Sequence, residues 1–187
     1  MGKGVGLGDL EILCDLPPIQ VGNYVWIDEN EDGIQDPCET PVQNLTVMLY
    51  SQPTNGTPVL VATTTTDAEG EYYFTNDADL DETWEAGFTE VQVDSTYFIV
   101  FAADAYDSNT AVITANGNPY TLTIADTGMG GHPDFNDSDA TEMTVSSIGT
   151  FPIISITADS TNHTLDMGLV PFECDPDNCF GITVSRD

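Results

Sequence analysis

Short apolar or alternating runs, separated by turn residues, recur along most of this 187-residue chain. Alternation with a period of two and an excess of β-branched and aromatic residues are typical of strands, and no amphipathic helix of useful length is apparent. Turns are marked by Asn55-Gly56, Glu69-Gly70, Asn116-Gly117 and Gly130-Gly131. The pattern predicts nine strands, at 21–27, 44–50, 58–66, 71–75, 96–102, 120–124, 143–148, 153–158 and 164–170.

Many short strands joined by Gly, Asn and Pro turns predict an all-β fold, a sandwich or small barrel with Greek-key connections. We expect one domain over residues 19–171, with a long polar insertion at 77–94. Residues 1–18 and 172–187 are then tails. Each tail contains a strand-like piece, Leu10–Leu13 in the first and Phe180–Val184 in the second. We expect both tails to dock, either on their own domain or on a neighbouring copy by strand addition.

The first predicted strand runs directly into an acidic segment that fits the calcium-loop pattern D-x-[DN]-x-[DN]-G-x5-E. Such a loop supplies oxygen ligands at positions 1, 3, 5, 7, 9 and 12, and has glycine at position 6. The ligands would be Asp28, Asn30, Asp32, the backbone carbonyl of Ile34, Asp36 and Glu39, with Gly33 at the turn. A β-rich run precedes the loop, and Pro37 and Pro41 follow it. We therefore expect a calcium loop between strands rather than an EF-hand.

Charge supports bound cations, because 32 acidic residues stand against two basic ones and the formal net charge is −30. Such a charge opposes compaction unless cations bind or screen it, and it disfavours nucleic acid and anionic membranes as partners. The acids cluster in loops, which favours several calcium ions over the acidic coat of a halophilic protein, although the two causes can coexist. No apolar stretch reaches the length of a membrane helix.

Four cysteines, Cys14, Cys38, Cys174 and Cys179, allow three disulfide pairings. We favour disulfides over zinc because the chain has only two histidines and no C-x-x-C pair. One pairing would close the Cys174–Cys179 loop and leave Cys14 to bond Cys38 inside the calcium loop. Cysteines and calcium indicate an extracellular setting, and no signal peptide is recognisable, so we interpret the sequence as a mature chain. No catalytic motif is present, and we predict that the chain is not an enzyme.

Several blocks resemble the B domains of serine-aspartate-repeat (SD-repeat) surface proteins, calcium-stabilised relatives of the collagen-adhesin B-type (Cna-B-like, prealbumin-like) sandwich. They are VGNYVWIDENEDGIQDPCE within Ile19–Glu39, VQNLTVMLY at 42–50, VATTTTDAEGEYYF at 61–74, NDSDAT at 136–141 and LDMGL at 165–169. The resemblance implies a Greek-key sandwich that binds several calcium ions and serves as a rigid extracellular spacer or structural module. It also implies a second calcium site at Asp137 and Asp139, with Asp134 and Asn136 as further ligands.

Some features depart from that family. The 77–94 insertion and the four cysteines are not part of its pattern, and no serine–aspartate repeat or wall-sorting motif is present. The isopeptide cross-link of related domains needs a core lysine, whereas Lys3 lies in the leader. We expect an extracellular calcium-stabilised structural protein, a building block of a surface fibre or biofilm matrix that self-associates through its tails. The alternatives are a monomeric spacer or ligand-binding module of a larger adhesin, and a polysaccharide-binding accessory module.

Overall fold

A computed structural model describes residues 19–75, 82–127 and 135–172 of the chain. These residues form thirteen strands and contain no helix. The strands are β1 (Val21–Ile27), β2 (Thr40–Pro41), β3 (Thr46–Gln52), β4 (Val59–Thr65), β5 (Glu71–Phe74), β6 (Thr83–Trp84), β7 (Ser95–Phe101), β8 (Tyr106–Asp107), β9 (Val112–Ala115), β10 (Asn118–Leu122), β11 (Thr141–Val145), β12 (Gly149–Ala158) and β13 (Met167–Pro171). A search of these described ranges for a helix able to cross a membrane finds none.

The strands form two sheets that pack face to face, which confirms the prediction of an all-β sandwich. The first sheet has the order β2-β1-β13-β10-β9-β8, with β5 paired to β1, and the second has the order β11-β12-β7-β3-β4-β6. Alternate residues of both sheets point into a shared core, as the period-two pattern requires. Tyr72 of the first sheet stands edge-on to Phe101 of the second, with 5.4 Å between the ring centroids, so aromatic packing joins the layers.

Strand β1 organises the first sheet because it is paired along both of its edges. One edge pairs with β5 and then β2, and the other edge pairs with β13. The β1–β13 pairing is parallel, from Val25 opposite Met167 to Ile27 opposite Leu169. β1 opens the described body and β13 closes it. The chain therefore enters the sandwich at one end and leaves it at the opposite end.

All nine predicted strands are present, but several boundaries were wrong. The strand predicted at 143–148 ends at Val145, because the Ile148 N–H donates to the Val145 carbonyl at 2.9 Å and closes a tight turn before β12. Strands β2, β6, β8 and β9 were not predicted, and three of them have only two residues. The described part of the polar insertion contributes β6 and a buried Val91, so it packs on the sandwich.

Candidate metal centre

The acidic loop predicted to bind calcium follows β1 directly and is folded around the Asp28 carboxylate. Asp28 is fully buried. Its Oδ1 accepts the Glu31 N–H at 2.7 Å, and its Oδ2 accepts the Gly33 N–H at 2.8 Å. A buried carboxylate needs such donors to be stable in a protein interior. The first ligand position thus also acts as the centre of the turn.

Gly33 occupies a position where no other residue fits. Its φ is +79°, and a Cβ atom at this place would lie 2.5 Å from the Ile124 carbonyl oxygen. A left-handed conformation of this kind is one that glycine adopts readily. This is the conformation that the sharp turn at position 6 of a calcium loop demands.

Three of the predicted ligand side chains meet at one point of the loop. The Asn30 Nδ2 atom lies 3.1 Å from Asp32 Oδ2 and 3.1 Å from Asp36 Oδ2. Rotating the Asn30 amide by 180° would direct its carbonyl oxygen to the same point. Two carboxylates and an amide oxygen would then face one position, which is a ligand arrangement suited to a hard cation such as calcium.

The remaining predicted ligands are held by the backbone of the loop. Glu39 Oε1 accepts the Glu29 N–H at 3.0 Å, and its Oε2 accepts the Asp36 N–H at 2.8 Å. Ile34 forms an isolated β-bridge with Asp137, outside the loop. Within the described ranges, no three Asp, Glu, His or Cys side chains are gathered closely enough to hold a metal by themselves. The structure therefore brings the side chains of Asn30, Asp32 and Asp36 together. The carboxylate of Glu39 instead accepts hydrogen bonds from backbone N–H groups.

The chemistry of the loop nevertheless fits calcium. All of its predicted ligands are hard oxygen donors, which suit calcium rather than a soft metal. Each carboxylate oxygen has two lone pairs, so it can keep its backbone amide and still contact a cation. Cys38, at loop position 11, is exposed and has no disulfide partner among the described residues. Cys14, Cys174 and Cys179 lie outside the described residues, and the disulfides stay predictions.

The residues predicted to form a second site are attached to the first loop. Asn136 accepts the Gln35 N–H on its carbonyl at 2.6 Å, and the Ser138 N–H donates to the Gly33 carbonyl at 3.1 Å. Asp137 is buried beside this contact. Asp134 lies outside the described residues. The two predicted sites are therefore neighbours that share one stretch of backbone pairing.

Asp166, just before β13, is a candidate residue that sequence reasoning missed. It is only 1% exposed, and its Oδ1 accepts the Tyr24 N–H at 3.0 Å. Its Oδ2 is buried with no hydrogen-bond partner among the described residues. Asp139 from the predicted second site packs against it, since Asp139 Oδ2 accepts the Asp166 N–H at 2.8 Å and the Asp139 N–H donates to the Asp166 carbonyl at 2.9 Å.

The surroundings of Asp166 disfavour its charged form. Burial, and then the negative charge of Asp139, raise the pKa of Asp166 to about 8, and Asp137 acts in the same direction. The hydrogen bonds from the Tyr24 N–H and the Asn23 side chain oppose this effect and lower the pKa. A bound cation would favour the charged carboxylate instead. The sequence offers one signal for this site: Asp166 interrupts an otherwise apolar run that is buried and ends at Leu169.

Thr123, one residue past β10, connects the end of β10 to the first loop, which follows β1. Its hydroxyl donates to Asp28 Oδ2. We expect Thr123→Val to destabilise the chain by about 1–3 kcal/mol, because a buried carboxylate loses a donor that valine cannot replace. Urea unfolding of Thr123→Val measures this loss. Thr121→Val, two residues earlier on β10, is the control, and an equal loss in both variants would contradict the role of this hydrogen bond.

Comparisons with known proteins identify the family of the domain that contains this loop. The family model described as "SdrD B-like domain" matches residues 19–130, which is more than half of the chain. Colossin-B of Dictyostelium discoideum is 46% identical over 69 residues, covering 37% of this chain and 2% of that protein. Serine-aspartate repeat-containing protein E of Staphylococcus aureus (strain USA300) is 38% identical over 97 residues, covering 50% and 8%. Serine-aspartate repeat-containing protein F of Staphylococcus epidermidis is 48% identical over 59 residues, covering 32% and 3%.

The matches are short segments of long proteins, so the chain spans less than a tenth of the length of these three relatives. Among solved structures, a 9R-lipoxygenase from Cyanothece gives a TM-score of 0.30 at 11% identity, which is too low to support any conclusion. The family model agrees with the sandwich, and it agrees with the two serine-aspartate repeat-containing proteins on the resemblance noted in the sequence. The chain belongs to the SdrD B-like domain family.

Proposed function

We propose that this chain is a calcium-stabilised structural module of a cell surface or extracellular matrix, without catalytic activity. The observation that carries the proposal is that buried or facing carboxylates lie together in a body that has no lysine or arginine to neutralise them. The chain has no lysine or arginine between Lys3 and Arg186, and both of these lie outside the described residues. Metal cations are the partners that can neutralise such a cluster.

Calcium would act by joining segments that are distant in sequence. The first ion would be held by the Asp28–Glu39 loop, through Asn30, Asp32, Asp36, the Ile34 carbonyl and the two terminal carboxylates. A second ion would be held by Asp137, Asp139 and Asp166, with Asn136 and Asp134 as further ligands. The two ions would fasten the end of β1 to the segments before β11 and β13. Because an ion bound only to the folded state adds stability, the module would be most stable where calcium is abundant.

The direction of the chain supports a spacer or structural role. β1 and β13 are parallel neighbours, so the entry and exit points lie at opposite ends of the sandwich. Copies connected in series would extend in a line rather than fold back on each other. The family membership and the short coverage of long relatives favour such a module at a cell surface. Fibre formation through the tails is the more specific form of this proposal, and a spacer within a larger adhesin is the alternative form.

Direct calcium titration tests the metal assignment. We expect isothermal calorimetry to detect at least two ions per chain. Glu39→Gln should remove one binding event, because position 12 supplies a bidentate carboxylate. Asp139→Asn should remove another, and Glu69→Gln, an exposed acid of the β4–β5 turn, should leave the titration unchanged. If Glu39→Gln and Asp139→Asn bind as many ions as the unmodified chain, the two sites are wrongly assigned.

A further inference from the structure

The outer face of the second sheet carries an uncharged group of side chains where β3, β7 and β12 lie side by side. Leu49, Ile99 and Ile154 of these strands point into the core, so the residues that alternate with them point outward. The strand registers place six outward residues in two adjacent rows, which we call the grid: Tyr50, Phe98 and Ser155 in one row, and Gln52, Thr96 and Thr157 in the next. The grid thus combines two aromatic rings with an amide and three hydroxyl groups.

Tyr50 and Phe98 form the aromatic part of the grid. They lie directly opposite each other on β3 and β7, and both are half-buried. The Tyr50 hydroxyl lies 3.8 Å from the Sδ atom of Met48, which is two positions earlier on the same face of the strand. The Tyr50 ring therefore lies along the strand instead of standing upright from the sheet. A ring in this orientation offers one face to the C–H groups of a ligand, while its hydroxyl remains a polar contact.

A cleft of about 360 Å³ adjoins the second row of the grid. It is lined by Ser51–Thr54 and Asp94–Thr96. The Gln52 side-chain amide donates to the Gly56 carbonyl at 3.0 Å and fixes the β3–β4 turn beside the cleft. The Asp94 N–H donates to the Ala158 carbonyl at 2.7 Å and fixes the segment that leads into β7. Both sides of the cleft are therefore held in place by the fold.

We propose that the grid and the cleft bind a neutral polysaccharide. Hydroxyl groups, an amide and the Asp94 carboxylate can exchange hydrogen bonds with sugar hydroxyls, and the neighbouring rings can stack on the C–H face of a sugar. The grid extends about 10 Å across three strands and about 7 Å along them, which is the scale of a disaccharide. This site goes beyond the proposed structural role and does not rest on the assignment of the calcium sites.

Charge selects an uncharged ligand for this site. The chain has 32 acidic residues and a formal net charge of −30, yet β3, β4, β7 and β12 contain no charged residue. An anionic polysaccharide or a nucleic acid would be repelled by the rest of the body. A calcium ion would find one carboxylate in the cleft, that of Asp94, whereas calcium needs six or more oxygen ligands. A neutral ligand rich in hydroxyl groups meets neither obstacle.

Binding to cellulose and chitin tests the proposal, because both are neutral polymers with flat chains that suit a flat face. We expect the full chain, in calcium, to co-sediment with at least one of them and not to bind hyaluronan, which is anionic. Calorimetry with the soluble hexasaccharide of the bound polymer measures the affinity. Tyr50→Ala and Phe98→Ala should each weaken it about tenfold, because each removes a stacking ring. Tyr50→Phe keeps the ring and should retain most of the affinity.

Tyr73→Ala is the matched control, because Tyr73 is a half-buried aromatic residue of β5 in the first sheet. It should leave the affinity unchanged. Asp94→Asn tests the cleft separately. Asp94 has a φ of +56°, a conformation that asparagine also adopts, so the variant keeps the backbone and loses only the charged acceptor. We expect it to weaken binding about fivefold.

The outcomes that would overturn the site are distinct. They are an unmodified chain that binds neither cellulose nor chitin, a Tyr50→Ala variant that binds as tightly as the unmodified chain, and a Tyr73→Ala variant that loses as much affinity as Tyr50→Ala. If Tyr50→Ala loses its calcium-dependent melting, it is misfolded, and Asp94→Asn decides instead. If Tyr50→Ala changes the particle mass in light scattering and no polysaccharide binds, the grid is a contact between copies and the saccharide site is wrong.

Discussion

Chelating calcium is expected to lower the melting temperature of the intact chain by about 10–20 °C. One ion present at 100 times its Kd stabilises the folded state by about 2.7 kcal/mol, and two ions by about twice that amount. For a domain of this size, each 1 kcal/mol shifts the melting temperature by about 2–4 °C. Melting curves in calcium and in excess EDTA measure the shift.

Two controls separate specific binding from simple screening of charge. Glu39→Gln should keep about half of the calcium-dependent shift, because it leaves the site around Asp139 intact. Sodium chloride at matched ionic strength should not replace calcium, since it screens the −30 net charge without coordinating the loops. If salt without calcium restores the melting temperature in full, the acidity acts as a halophilic coat and calcium is not the stabilising ligand.

Asp166→Asn is expected to change the stability in opposite directions with and without calcium. Without calcium, the substitution should stabilise the chain by about 1–3 kcal/mol, because it replaces a buried carboxyl that has an unpaired oxygen and two acidic neighbours. With calcium at 1,000 times the Kd of the second site, the variant should be less stable than the unmodified chain by about 1–3 kcal/mol, because losing that ion costs about 4.1 kcal/mol and the gain from the substitution offsets part of this loss. Urea unfolding in both conditions gives the two free energies of unfolding.

Asp159→Asn is the matched control for this reversal, because Asp159 is exposed at the end of β12. We expect it to have a small effect of one sign in both conditions. If Asp166→Asn destabilises the chain equally with and without calcium, then Asp166 has a purely structural role. The same result would remove the main support for a second ion at this place.

The features predicted well from the sequence are those decided by neighbouring residues. β1 was predicted with its observed limits, because its alternation and its acidic boundary at Asp28 are both local. The loop after it could be identified because its ligands lie within one short segment, with Gly33 at the position where only glycine fits. The meeting of Asn30 with two aspartates is a direct result of that spacing.

The features that were missed depend on contacts between distant residues. Asp166 receives its hydrogen bond from Tyr24, 142 positions away, and only the folded sheet shows that the two meet. β10 begins at Asn118 rather than at the predicted Tyr120, because Asn116 and Gly117 both have positive φ and form a two-residue turn that pairs Asn118 with Ala115. Pro119 is tolerated there, since it lies opposite Thr114 in the next, non-bonded pair.

The parallel pairing of β1 and β13 has a mechanical consequence. A tension applied to the two ends of the described body pulls these strands past each other along their length. The hydrogen bonds between them are then loaded together rather than broken one after another, as they would be if the strands were peeled apart. The proposed ions sit at the ends of these same strands. A chain under tension would therefore resist extension most where calcium holds β1 and β13 in place.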